Sequence, residues 1–324
     1  MNQKILFIRV TENCNANCFM CNFAGNKNGH MMSISEMFEL VKKLEKYNFK
    51  LIKFTGGEPL TNPYLKDFIK MLKNKNYYTS IITNGFLLPK KIDELANAGL
   101  DQIIVSIDGV DKSSNDVLRG TDGIFDSAIK GIRICKEKYP NIHVRVNTVV
   151  SDKNIELLCQ LNEMLLVENV DEWSLTPLKE DYNCYSGNEE KYIDIYKKFT
   201  EYVENHPTPK LLGYSKYWGG RNKKEIEDLF YRNIHYLPNN QCELVNRVAF
   251  YIPSKKLLLP CNSLGHRLNE VNQFLDSEMN MFDKCQMIAD WLKKCGQKNC
   301  KGCSPINAFL AENPSIIDED VWSF

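Results

Sequence analysis

Short β-branched runs alternate with amphipathic stretches from Ile5 to Thr176, and no other feature of the chain restricts its fold so strongly. The strands read as Ile5–Val10, Leu51–Phe54, Tyr78–Thr83, Gln102–Ile107, His143–Val149 and Trp173–Thr176. Helical patterns fall between them near Ser33–Tyr47, Pro63–Asn74, Pro89–Ala98, Ile124–Lys138 and Asn154–Val167. Ser33-Ile-Ser-Glu36 is a capping box that opens the first helix, and Asn97-Ala-Gly99 closes the third with glycine. Strands separated by helices form a parallel sheet joined by right-handed crossovers. Six units do not close an eight-stranded barrel, so the pattern predicts an α/β fold, a partial (β/α)6 TIM barrel over residues 1–177.

Three cysteines follow the first strand directly: Cys14, Cys18 and Cys21, in TENCNANCFMCNF. Three thiolates on a [4Fe–4S] cube satisfy three irons and leave the fourth open to an exogenous ligand. A structural zinc site is the competing reading, but it wants four N or S ligands. His30 is the nearest histidine and is not at ligand spacing. The second strand runs into Gly56-Gly57-Glu58-Pro59. There the glycines let backbone approach a ligand closely, and Glu58 offers an acceptor to an ammonium group. Thr83-Asn84-Gly85 follows the third strand, Ser106 and Asp108 end the fourth, Asn147 lies near the end of the fifth and Thr176 follows the sixth. Taken singly, Asn84-Gly85 and Asp108-Gly109 are ordinary turns. Their shared place at strand ends, where chemistry collects in barrel folds, makes them site candidates. Alternation along the fifth strand puts His143, Arg145 and Asn147 on one face. If that face is the barrel interior, three polar groups there are costly unless a ligand pairs with them.

The cysteine triplet and the Gly-Gly-Glu-Pro turn, each after a strand, resemble the radical S-adenosylmethionine (SAM) superfamily. The resemblance implies an open partial barrel in which the free iron chelates the amino and carboxylate groups of SAM. One electron from the cluster then cleaves SAM to methionine and a 5′-deoxyadenosyl radical, which abstracts hydrogen from substrate. The residue before the third cysteine, usually aromatic in that family, is Met20 here, whose thioether still packs on an adenine ring. Val105-Ser-Ile-Asp-Gly109 with Arg119-Gly120 looks like the fourth-strand region of members carrying C-terminal auxiliary clusters. The resemblance puts Ser106 and Asp108 near the ribose and methionyl portion of SAM, and a downstream cation on its carboxylate. Arg119 and Arg145 both qualify.

After Pro177 the repeats stop, and residues 178–324 read as a C-terminal extension. It contains a helix near Glu189–Asn205, then Cys242, a hairpin-like run from Val248 to Pro260, Cys261, and finally Cys295, Cys300 and Cys303. This arrangement resembles the twitch domain, a shortened SPASM domain that holds one auxiliary [4Fe–4S] cluster, with zinc as the competing metal. The implied ligands are Cys242, Cys261, Cys300 and Cys303, with Cys295 as the alternate. Cys135 and Cys159 fall inside helix patterns and read as buried thiols; Cys184 and Cys285 are spare.

With 41 basic and 41 acidic residues and no basic stripe, the chain carries no electrostatic footprint for nucleic acid. It has no apolar run of about eighteen residues and opens on a strand, so neither a membrane span nor a secretory signal is expected, and the location reads as cytoplasmic. Twelve cysteines in such a chain read as metal ligands and reduced thiols. The expected cofactors are therefore a SAM-binding [4Fe–4S] cluster, an auxiliary [4Fe–4S] cluster and SAM itself. An electron donor such as flavodoxin or ferredoxin is the expected partner. In architecture the chain resembles radical SAM enzymes that act on sugars, aminocyclitols or nucleoside uronates by dehydrogenation, epimerisation or decarboxylation. The Cys14–Phe23 segment is most like the cytosylglucuronate decarboxylase branch. Arg221, Lys179 or Arg145 could hold a uronate carboxylate. The alternatives are a maturase of ribosomally made peptides and, in another class, an iron–sulfur redox or scaffold protein without SAM turnover.

Overall fold

A computed structural model describes residues 4–178, 189–212, 248–261 and 279–299. The repeats expected from sequence form in order: β1 (Lys4–Thr11), α1 (Ile34–Leu44), β2 (Phe49–Gly56), α2 (Leu65–Lys73), β3 (Tyr78–Thr83), α3 (Leu88–Asn97) and β4 (Gln102–Ser106). Two helices, α4 (Lys112–Arg119) and α5 (Ile124–Lys138), lead to β5 (His143–Val150), followed by α6 (Leu158–Val167) and β6 (Glu172–Pro177). The Ser33–Glu36 capping box is present, Ser33 Oγ accepting from the Glu36 N–H while the Glu36 carboxylate receives the Ser33 N–H. Helix α4 is eight residues long with only two apolar residues, Val117 and Leu118, which hides it in the sequence. Its own start signal is Asp111, whose carboxylate caps Ser114 N–H at 2.8 Å.

The repeats continue past residue 177. Helix α7 (Glu189–Asn205) returns the chain to a further parallel strand, β7 (Lys210–Leu212), against β6. A strand of three residues is too short to show alternation, so the sequence reading ends one unit early. The Val248–Pro260 run is the expected hairpin, β8 (Val248–Ile252) and β9 (Leu257–Leu259), and β8 also pairs parallel to the free side of β1. The described strands form one nine-stranded sheet in the order β7-β6-β5-β4-β3-β2-β1-β8-β9, an open barrel-like α/β sheet. The last described helix, α8 (Met281–Asn299), packs on β9. No described helix is long and apolar enough to cross a membrane. Cys242, Cys300, Cys303, Cys184, Lys179 and Arg221 lie outside the described residues.

The two faces of the sheet are chemically different. Alternation sends Ile103, Val105, Val144, Val146, Trp173 and Leu175 outward into the apolar layer shared with the helices. Each such burial contributes about 1.5–3 kcal/mol. Cys135 of α5 lies in this layer as a fully buried thiol, and Cys159 of α6 is half-buried beside it. The other face carries Lys53, Ser80, Gln102 and Arg145, all almost fully buried. Ser80 Oγ donates to Gln102 Oε1 at 2.8 Å. Arg145 meets a protein carboxylate: its Nε donates to Glu172 at 2.8 Å, and His143 Nε2 lies 3.2 Å from the same carboxylate. Burial alone would raise the Glu172 carboxyl, but His143 and Arg145 overcome that and hold it at about 2. Burial, reinforced by Arg145, pushes Lys53 well below the ordinary lysine range.

Glu172→Gln leaves the Arg145 guanidinium buried against a neutral group, which costs about 3–5 kcal/mol of stability. Urea unfolding of the metal-free protein measures this, and a loss below about 1 kcal/mol would show that the pair does not hold the inner face together. In the unmodified protein the Glu172 contribution is complete above the unfolded value of about 4.3. It is lost as pH falls from there toward the folded value of about 2.

Candidate functional site at the C-terminal ends of the strands

The cysteine loop is shaped by backbone pairing with the turn that follows β2. Gly57 N donates to Thr11 O at 2.9 Å, and Glu58 N donates to Asn13 O at 2.7 Å. These two bonds extend the β1–β2 pairing into the start of the loop. The close approach explains the paired glycines. A Cβ on Gly56, whose φ is +147°, would stand 2.0 Å from Thr11 O, and one on Gly57 would stand 2.2 Å from Asn13 O. Both obstacles are backbone and cannot swing aside. The loop then folds on itself through Cys14 N to Asn26 O at 2.7 Å and Gly25 N to Ala16 O at 2.8 Å.

Glu58 is fully buried beneath this junction and accepts three protein donors. Leu60 N and Thr83 Oγ1 donate to Oε1 at 3.0 and 2.7 Å, and Asn84 N donates to Oε2 at 2.7 Å. A carboxylate has about four lone-pair positions, so one on Oε2 is left for an ammonium donor. Burial raises the Glu58 carboxyl to about 7 against the opposing pull of Asn84, Thr83 and Leu60. Buried Pro59 starts the short turn that brings Leu60 N into line. Asn84 joins the ends of β3 and β1 through Nδ2 to Asn15 Oδ1 at 2.8 Å.

The three thiols differ in exposure: Cys14 and Cys18 are buried and Cys21 is exposed. Burial pushes Cys14 up to about 11, with Glu58 and the other two thiols adding to the rise. Uptake of a metal centre by these residues therefore releases protons. Among the described residues, no three His, Cys, Asp or Glu side chains converge as ligands of a single ion would. The corner ligands of a four-iron cube stand further apart than that. Met20, Phe23 and Phe86 pack around Cys14, Cys18 and Ile124 as an apolar collar, and Arg9 lies over the Phe23 ring at 4.8 Å.

Opposite the glycine turn stands the end of β4. Asp108 is fully buried; Oδ1 accepts Val149 N at 2.8 Å and Oδ2 pairs with Arg119 Nη2 at 2.7 Å. The Arg119 charge also acts on the Cys18 thiol, opposing the rise that burial gives it. Ser106 and Asn147 are register partners at the ends of β4 and β5, both half-buried. The structure thus brings Gly56, Gly57, Glu58, Pro59, Asn84, Ser106, Asp108, Arg119 and Asn147 to the cysteine end of the sheet. Arg145 sits lower, opposite Glu172, the first residue of β6. Of the second cysteine set, Cys261 lies half-buried just after β9 and Cys295 lies within α8. Sequence reasoning missed Asn15, Asn17 and Asn115. They sit in loops or on a polar helix, and no period marks them.

Five buried polar atoms in this region have no hydrogen-bond partner among the described residues: Asn15 Nδ2, Asn115 Nδ2, Arg119 Nε, Asn147 Oδ1 and Asp108 Oδ2, the last meeting Arg119 as an ion pair. Three donors and two acceptors, set around three thiols and one remaining carboxylate lone pair, suit a ligand carrying both an ammonium and a carboxylate group. The donor set and the unmade bonds therefore fit a [4Fe–4S] cluster with SAM.

The sequence model of the Radical SAM superfamily matches residues 8–165. A probable GTP 3′,8-cyclase of Sulfurisphaera tokodaii is 30% identical over 247 residues, covering 75% of this chain and 73% of that protein. A probable GTP 3′,8-cyclase of Methanococcus aeolicus is 35% identical over 178 residues, covering 50% of this chain and 58% of that protein. The match therefore spans less than two-thirds of the Methanococcus aeolicus protein. The fold is similar to that of Streptococcus suis SuiB, solved with S-adenosylmethionine and with precursor peptide SuiA, each at TM-score 0.65 and 16% identity. The two alignments cover 95% of this chain and 72% and 71% of those chains.

Two substitutions test this geometry. Gly57→Ala should force the cysteine loop off the β2 turn, and anaerobic reconstitution should then incorporate less than about half the normal iron at the N-terminal site. Normal iron content would show that the loop tolerates the displacement. Glu58→Gln should leave iron uptake unchanged but weaken SAM binding by roughly ten- to a hundredfold, since a charged hydrogen bond contributes about 1.5–3 kcal/mol. Unchanged affinity by calorimetry would mean that the last Oε2 position does not meet the ammonium.

Proposed function

Because this chain belongs to the radical SAM superfamily, whose members use a [4Fe–4S] cluster and SAM, we propose that it is an enzyme that cleaves SAM reductively and abstracts hydrogen from a small polar substrate. When bound, the cluster and SAM supply one-electron cleavage of a carbon–sulfur bond and, through it, hydrogen-atom abstraction. The chain's own part is to hold and orient. Cys14, Cys18 and Cys21 ligate three irons. The backbone of Gly56–Glu58 fixes the loop that carries them, and Glu58 receives the ammonium. Ser106 and Asn147 face the ligand from β4 and β5. The observation that carries this reading is the docking of the cysteine loop on the Gly-Gly-Glu-Pro turn, ringed by buried donors and acceptors with unmade bonds.

A sugar, aminocyclitol or nucleotide-like substrate is favoured by the half-buried Ser106 and Asn147 on the inner face near the strand ends, which offer hydrogen bonds and little apolar surface. Two relatives named for GTP support the same class of small, hydroxyl-rich molecule. Such a substrate would be dehydrogenated, epimerised, cyclised or decarboxylated after loss of hydrogen. We also propose an auxiliary [4Fe–4S] cluster on Cys242, Cys261, Cys300 and Cys303, with Cys295 as the alternate ligand. Full ligation by four thiolates would leave it to carry electrons.

The test is anaerobic reconstitution followed by incubation with SAM, dithionite and panels of nucleotides, nucleoside uronates, aminocyclitols and peptides. Substrate-dependent 5′-deoxyadenosine is expected from the small polar panels. Release with peptides alone would replace this reading by a peptide maturase, and no release at all would replace it by a redox or scaffold role. Replacing Cys14, Cys18 and Cys21 by Ala together should abolish SAM cleavage and remove about half the iron. Removal of all the iron would sink the auxiliary cluster.

A further inference from the structure

We propose that Asp108 and Arg119 are a positioning pair that sets the reduction potential of the cluster held by Cys18. The proposal rests on the reading that Cys14, Cys18 and Cys21 hold a cluster. Helix α4 is anchored at both ends, so its last residue has little freedom. At its start, Asn115 Oδ1 accepts Asp108 N at 2.8 Å and Gly109 N at 3.2 Å, hooking the helix to the end of β4. At its end, Arg119 O accepts Asn17 N at 3.1 Å, one residue before Cys18. Gly120, at φ +58°, lies so close that an added Cβ would stand 2.1 Å from Asn17 O. The guanidinium delivered by this docking pairs with Asp108 at 2.7 Å, beside the loop that carries Cys18, and its charge acts on that thiol.

Its surroundings make that charge effective. Arg119 and Cys18 are each 8% exposed and Asp108 is fully buried, so water screens them little. Reduction of a cluster adds one negative charge. A buried cation beside a ligand sulfur stabilises that charge, and the charge and hydrogen bonding around a cluster set its potential. Asp108 acts against it, repelling charge on Cys18 while holding the guanidinium in place. The two members therefore pull the potential in opposite directions.

The experiment is an electron-paramagnetic-resonance redox titration of the anaerobically reconstituted full chain without SAM. It follows the cluster signal that changes when SAM is later added. Arg119→Gln removes the cation and should lower the midpoint potential by about 59 mV, a tenfold shift in the reduced-to-oxidised ratio for one electron. Asp108→Asn keeps an acceptor for Val149 N but loses the charge, and should raise the potential. Arg119→Lys keeps the charge without the fork and should fall between Arg119→Gln and the unmodified protein. If Arg119→Gln takes up no iron, Asp108→Asn and Arg119→Lys carry the test. Shifts of one sign in Asp108→Asn and Arg119→Gln, or unchanged potentials with SAM affinity lost in Arg119→Gln, would overturn the proposal; the latter would assign Arg119 to the SAM carboxylate. An unmodified chain that takes up no iron at Cys14, Cys18 and Cys21 would instead remove the underlying reading.

Discussion

Two backbone hydrogen bonds, Gly57 N to Thr11 O and Glu58 N to Asn13 O, fix where everything else at this site can stand. They join the first strand's exit to the second strand's turn. A side chain at either glycine would occupy the space where the Thr11 and Asn13 carbonyls lie. Once that junction is closed, Glu58 is sealed beneath it and must find its partners within the protein. It does so at the end of the third strand, through Thr83 and Asn84. Asn84 then reaches back to Asn15. Three strand ends and the cysteine loop are thus locked into one unit by bonds that are mostly main-chain or fully buried, the kind least weakened by water.

Charge is handled in two layers along the inner face. Lower down, Arg145 pairs with Glu172 within the protein, and His143 lies against the same carboxylate. Higher up, Asp108 and Arg119 form a second buried pair that reaches the cysteine loop. A buried ion pair is a poor source of stability in itself, because desolvation offsets most of the attraction. Both pairs therefore read as devices that orient a group. The lower one keeps a polar inner face from collapsing, and the upper one presents a guanidinium to a thiol. This contrasts with the outer face, where Ile, Val and Trp side chains bind the helices without directional bonds.

Much of the strand–helix order was legible because period-2 runs bounded by capping residues are local signals: Ser33 with Glu36, or Gly99 after Ala98, needs only its own neighbours. The cysteine triplet and the Gly-Gly-Glu-Pro turn were legible for the same reason, as short motifs after strands. Helix α4 escaped because KSSNDVLR is short and has only two apolar residues, and β7 because three residues carry no period. The placement of β8 beside β1 was equally hidden. The sequence separation between them is large, and nothing local tells a strand which edge it will join.

From composition and pattern alone, this chain was bound to bury a parallel sheet beneath helices and to bring thiols and glycines to the ends of its strands. Those outcomes follow from short-range chemistry, the steric freedom of glycine and the periodicity of apolar side chains. Only the tertiary structure decided that Arg119 reaches the cysteine loop while Arg145 pairs with Glu172. It also decided that the glycines make room for the loop's own backbone, and that Glu58 gives most of its lone pairs to the protein. Each of these depends on which strand lies beside which and at what register. Alternation gives a side chain its face but not its height along the barrel or its partner across it, and those are set only when distant segments pack together.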